Sequence, residues 1–169
     1  MLGVAAFQGW RHWDLGQRQE TGDRFIAAQR LADADKTEEA LRAFTDIRQQ
    51  SSAGYALLAR LREAALKAEA GDRATAVAEY RAIAADSGID APYSDLATVL
   101  AANIGLDAGE DPNAIITTLA PLLDGANAFR YAARELTAAA YLKLGDKAKA
   151  RELFDALAVD AGTPRGVRT

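Results

Sequence analysis

Three stretches of the chain repeat one template: an aromatic residue, a glycine 16 positions later, an acid next, and an alanine four residues beyond the acid. Tyr55, Gly71, Asp72 and Ala76 fill it first, then Tyr93, Gly109, Glu110 and Ala114, then Phe129, Gly145, Asp146 and Ala150. A worn copy lies upstream, where Asp35 and Lys36 stand in the Gly-acid place and Ala40 precedes Phe44 as Ala76 precedes Tyr80. A unit that recurs every 36 to 38 residues is too small to bury its own apolar face, so copies must stack into a continuous core. The template therefore predicts an all-α stack of helix pairs, an architecture that usually binds rather than catalyses.

Each copy reads as helix, turn, helix. From Tyr55 to Ala70, Leu57, Leu58, Leu61, Ala64, Ala65 and Ala68 form a broad apolar stripe at helical spacing. Gly71 closes that helix, because glycine enters the left-handed region without a Cβ penalty, and the following acid can cap the next helix and complement its dipole. Gly109-Glu110-Asp111-Pro112 is a variant, with proline in the first turn where its missing N–H costs nothing. The alanines at 40, 76, 114 and 150 predict close helix contact, and four residues later Phe44, Tyr80 and Phe154 should be knobs for a neighbouring helix. Thr118 breaks that series, so the third unit is expected to pack less well, and Pro121 should kink or end its helix unless it sits at the last turn.

Composition narrows the function. The net charge is −4, with 20 Lys and Arg dispersed among 24 acids, which disfavours nucleic acid because phosphate binding needs a concentrated basic field. The absence of cysteine excludes disulfides and thiolate zinc sites, and His12 is the only histidine, so nucleophilic dyads have no members and His12 reads as structural or solvated. No catalytic residue, cofactor site or metal site is predicted. Asp33, Asp35, Glu38 and Glu39 lack the glycine and closing glutamate of a calcium loop and read as helix capping, as do Asp107, Glu110 and Asp111.

The Gly-acid turn, the Ala-x-x-x-aromatic pattern and the period resemble tetratricopeptide repeats, with Ala138, Tyr141, Gly145, Ala150 and Phe154 in the usual order. The resemblance implies a right-handed solenoid of antiparallel helix pairs, about four units with divergent terminal ones, over 17–162. Residues 2–16 give an apolar run followed by Gly9-Trp10-Arg11-His12-Trp13, which resembles the exit of a transmembrane helix. Its apolar part is only about seven residues, against roughly 20 for a span. Together with Tyr55-Ala-Leu-Leu-Ala59 and Leu144-Gly-Asp-Lys147, this is similar to the bacterial ancillary SecYEG translocon subunit (YfgM-like) family. That likeness implies a bacterial inner-membrane location, with 1–16 as the end of an anchor whose interface residues are Trp10, Arg11 and Trp13. It also implies a periplasmic repeat domain, translocon or periplasmic chaperone components as partners, and 163–169 as the start of a truncated C-terminal segment. Arg11, Arg18 and Arg24 after the apolar run point toward the opposite topology.

A protein-binding groove is expected along the first helices of the units. Counting from Ala64, Ala102 and Ala138, its lining includes Leu58, Leu61 and Arg62, then Leu96, Val99 and Asn103, then Glu135. The lining lacks the lysine-asparagine pairs that clamp a C-terminal carboxylate in chaperone-binding relatives. The rival expectation is a soluble module that self-assembles, as a homodimer, through an exposed end of the stack.

Overall fold

The computed structural model describes residues 19–164. The chain divides into two compact units, Met1–Leu66 and Lys67–Thr169. In the first, α1 (helical over 19–33), α2 (Thr37–Gln50) and the larger part of α3 (Ala53–Glu69) enclose a core of Ala28, Ala40, Phe44, Ile47, Ala59 and Leu66. Phe25 of α1 meets Phe44 of α2 edge-on, with centroids 5.2 Å apart and planes at 67°, the arrangement that sets a positive ring edge against a negative face. On α3, Glu63 is only 7% exposed. Its buried charge is compensated by α2, where Arg48 Nε lies 2.9 Å from one carboxylate oxygen and the Thr45 hydroxyl donates to the other.

The second unit holds the end of α3, α4 (Arg73–Ala84), α5 (Ala91–Asp107), α6 (Pro112–Leu119), a 3-10 turn (Ala120–Leu123), α7 (Arg130–Lys143) and α8 (Lys147–Val159). From α4 onward consecutive helices pack against one another, and α7 also touches α5. Short connections between packed neighbours make the pairs antiparallel. Val99, Ala102 and Leu106 of α5, Ile115 and Leu119 of α6, Leu122, and Ala133 and Ala140 of α7 form one cluster. No strand occurs among the described residues, and the fold is all-α, built of helix pairs as in an α-solenoid.

The turn within each pair is the same structure four times. Asp35, Gly71, Gly109 and Gly145 have φ of 58°, 91°, 86° and 79°. At each one the backbone N–H bonds back to the carbonyl three residues earlier, and the next N–H to the carbonyl five residues earlier, as in Lys36 to Leu31, Asp72 to Lys67, Glu110 to Gly105 and Asp146 to Tyr141. This pair of bonds satisfies the last carbonyls of the first helix and requires the left-handed residue. Asp35 tolerates it because a short polar side chain suffers less there than most.

The caps that follow differ. Asp72 accepts from the Thr75 N–H and Asp146 from the Lys149 N–H, at 3.2 and 3.1 Å. The Thr75 hydroxyl and N–H hold the Asp72 carboxyl below its ordinary range, and the Lys149 N–H does the same for Asp146. Lys36 has no side-chain cap. In the third turn the cap is Asp111, which accepts from the Asn113 N–H at 3.0 Å, while Glu110 turns aside to pair with Arg81 at 2.6 Å.

That one-residue displacement corrects an expectation. Four residues after the cap stand Ala40, Ala76, Ile115 and Ala150, and eleven after it Ile47, Ile83, Leu122 and Leu157; all eight are buried. Eight after the cap stand Phe44, Tyr80, Leu119 and Phe154, of which the first three are buried. The third unit's small position is therefore not Ala114, which is exposed, and Thr118 is not a broken knob but an outward residue one place off the register. Ile115 and Leu119 pack fully, so the expectation of a looser third unit is wrong. Pro121 does end α6, and the chain continues as a 3-10 turn that still delivers Leu122 to the core.

A further repeat joins the pairs. Asp86, Asp124 and Asp160 follow the second helices, and the carboxylate of each accepts from the N–H two residues on, at 3.1, 2.9 and 2.8 Å. In each case the carbonyl also takes the N–H three residues on. The loop is set by aspartate's ability to mimic a backbone turn. The Gly162 N–H, then the Tyr131 hydroxyl, Arg130 and Arg134, hold Asp160 below its ordinary range.

The expected inner-membrane location is also corrected. Among the described residues no helix is long and apolar enough to cross a membrane. The repeat helices are short, and α3 and α5, at 17 residues each, carry charges within them. Trp10, Arg11, His12 and Trp13, and the segments 1–16 and 165–169, lie outside the described residues.

Candidate protein-binding surface

The face predicted for binding consists of two local patches, one in each unit. In the first unit, Leu58, Leu61 and Arg62 lie along one side of α3, at the three- and four-residue spacing that places side chains on one helix face. Leu58 is 40% exposed, and Leu61 and Arg62 are half-buried. The adjacent Glu63 points the other way, into the compensated site with Arg48 and Thr45, so the two neighbouring charges have separate fates. Arg62 Nε is shut from solvent without a hydrogen-bond acceptor. A buried donor left in this way forfeits about 1–3 kcal/mol of hydration.

In the second unit the prediction divides. Val99 belongs to the core cluster, sealed where α5 and α7 meet, and offers nothing to a partner. Leu96 is half-buried, and Asn103 and Glu135 are exposed. Small residues on both helices let α7 approach α5, and this closes the middle of the expected lining. Of the seven predicted residues, Val99 alone is buried in the core, and the other six reach the surface at least in part.

Other recesses are shallow. The acidic cluster lines one of about 430 Å³, where Glu38 pairs with Arg42 at 3.3 Å and Glu39 with Lys36 at 3.5 Å, both exposed. Its acids complement the start of α2. Ala27, Ala28 and Ala43 leave a dimple of about 200 Å³ between α1 and α2, with Arg24 and Asp46 at the rim. Among the described residues, no three His, Cys, Asp or Glu side chains converge as metal ligands. Sequence reasoning missed the Arg48–Glu63–Thr45 site, whose members share no motif, and the aspartate loops, whose signal is an Asp 14 residues after the acids at 72, 110 and 146.

Four identical turns, a second-helix register repeated four times and a repeated aspartate loop define a helical-repeat protein. The chain belongs to the tetratricopeptide repeat-like domain family, whose model matches residues 1–168. Among curated proteins none matches it significantly. Domains of this type are generally noncatalytic scaffolds for protein–protein interaction.

Proposed function

We propose that the protein is a noncatalytic scaffold that holds other proteins through its first-helix faces. Leu58, Leu61 and Arg62 form one contact, and Leu96, Asn103 and Glu135 the other. The observation that carries this reading is Leu58, 40% exposed on the same face of α3 as Leu61 and the half-buried Arg62. Exposed leucine supplies apolar area, and the arginine fixes the orientation of an acceptor on the partner. The partners we propose are components of a secretion translocon or of its associated folding chaperones. Support for them is the resemblance of Tyr55-Ala-Leu-Leu-Ala59 and Leu144-Gly-Asp-Lys147 to the translocon subunit family.

Site-specific photocrosslinking tests the reading. A crosslinker at position 58 or 103 of the full chain should capture a translocon or chaperone component, and the same group at Arg73 on α4 should not. Adducts of equal yield at all three positions, or none at 58 and 103, would sink it.

A further inference from the structure

The outer side of α8 is built differently from the corresponding side of the other second helices. Eight residues after the cap, Phe44, Tyr80 and Leu119 are covered, the first within the α1–α2–α3 core and Leu119 by α7. Phe154 has the same place and the same chemistry, yet it is 37% exposed. Five residues after the cap the other second helices carry Leu41, Val77 and Ile116, whereas α8 carries Arg151. A helix packing as α5 or α7 does would meet a charge at Arg151 where its counterparts meet aliphatic carbon. The surface instead suits a partner that brings an apolar group to Phe154 and a carboxylate to Arg151.

The second requirement is met by α8 itself. Asp155 lies one turn beyond Arg151, and the two form a 3.5 Å pair with their side chains 83% and 70% exposed. An exposed pair at this spacing is worth only about 0.3–0.5 kcal/mol, so both groups are available for exchange. Positions 151 and 155 are equidistant from 153. Two copies of α8 laid antiparallel about a twofold axis at 153 therefore set each Arg151 against the other copy's Asp155. The same axis brings the two Phe154 rings to within about 3 Å of each other along the helix direction. A twofold contact requires such a self-complementary patch.

We propose that the exposed face of α8 is a homodimerisation surface, in which Phe154 packs against its symmetry mate between two reciprocal Arg151–Asp155 pairs. One helix per copy buries less than the roughly 1,200 Å² of a stable interface, so the dimer is weak and concentration-dependent. This contact is independent of the first-helix faces.

Sedimentation of the full chain over rising concentration, up to about 1 mM, tests it, because weak dimers have dissociation constants in the micromolar to millimolar range. The wild type should shift from monomer to dimer mass and stop there. R151D and D155R should each stay monomeric, at least tenfold weaker in association, because like charges then face across the axis. An equimolar mixture of the two should recover the dimer, since every facing pair is again opposite in sign. F154S should weaken association with helicity unchanged, and L58D should leave it intact. A wild type that remains monomeric throughout overturns the proposal. So does dimerisation that survives both single reversals, a mixture that fails to recover it, or growth beyond dimer, which would mean an open head-to-tail contact.

Discussion

The α5–α6 turn and the α3–α4 turn have the same first two letters, glycine then acid, and the same backbone hydrogen bonds. They nevertheless deliver their second helices in registers one residue apart. In the α3–α4 turn the residue whose N–H donates the backward bond, Asp72, is also the cap. In the α5–α6 turn these jobs are split between Glu110 and Asp111. The comparison teaches that the core register of a repeat is counted from the cap, where helical dihedrals begin, and not from the glycine that ends the preceding helix. Split roles leave Glu110 free to fold over Gly105, where a Cβ would collide with its carboxylate, and to reach Arg81 on α4.

The largest effect is expected at the two adjacent positions that the rival registers assign to the core, 114 and 115. Ile115→Ala should cost about 2–5 kcal/mol in urea unfolding, the usual loss for emptying a buried aliphatic site. Ala114→Ser should stay within about 0.5 kcal/mol, as for a surface change. The opposite order would restore the register counted from the glycine.

Smaller effects are expected at the turns. Gly71→Ala and Gly145→Ala force an L side chain into φ of 91° and 79° and should each cost about 1–2 kcal/mol. Asp35→Gly relieves the same constraint and should stabilise the first unit by up to about 1 kcal/mol, read as a rise in its melting temperature. Deletion of Glu110 makes the α5–α6 turn like the α3–α4 turn, because Asp111 then follows the glycine and still caps. It should cost less than about 1 kcal/mol, chiefly the lost Arg81 pair. A large loss would show that the extra residue is needed to bring α6 onto α5.

Much of this arrangement was legible in the sequence, because turns and caps are local: Gly71, Asp72, Asp146 and Pro121 each act on backbone within a few residues. The shifted register was hidden by coincidence, since Glu110 and Ala114 satisfy the template letter by letter; Pro112, a first-turn residue, was the sign that the cap is Asp111. Phe154 was legible as a knob but not as an exposed one, for exposure depends on what an adjoining element supplies. The exposure of the predicted face was only half legible. Leu58 and Val99 look alike as apolar stripe positions, but Val99 is taken into the cluster that α5 forms with α6 and α7. Glu63 and its partners at 45 and 48 are joined by tertiary packing of α2 on α3, to which no spacing rule applies.

The mildest test compares the turns by their protons. Asp72 and Asp146 are carboxylates held below their ordinary values by cap hydrogen bonds, whereas Lys36 in the first turn offers no such group. A carboxyl whose folded value is lowered binds its proton more readily when unfolded. Its contribution is thus fully present above the unfolded value of about 3.9 and is lost as pH falls through the lower folded value. Asparagine caps a helix nearly as well but does not titrate in this range. The double variant Asp72→Asn, Asp146→Asn should match the wild type at pH 6 and lose less stability between about pH 4 and 2.5, as measured by urea unfolding at each pH. Parallel acid profiles would show that these caps act only through geometry. A shallower profile for the variant would assign part of the acid sensitivity to the caps of the α3–α4 and α7–α8 turns.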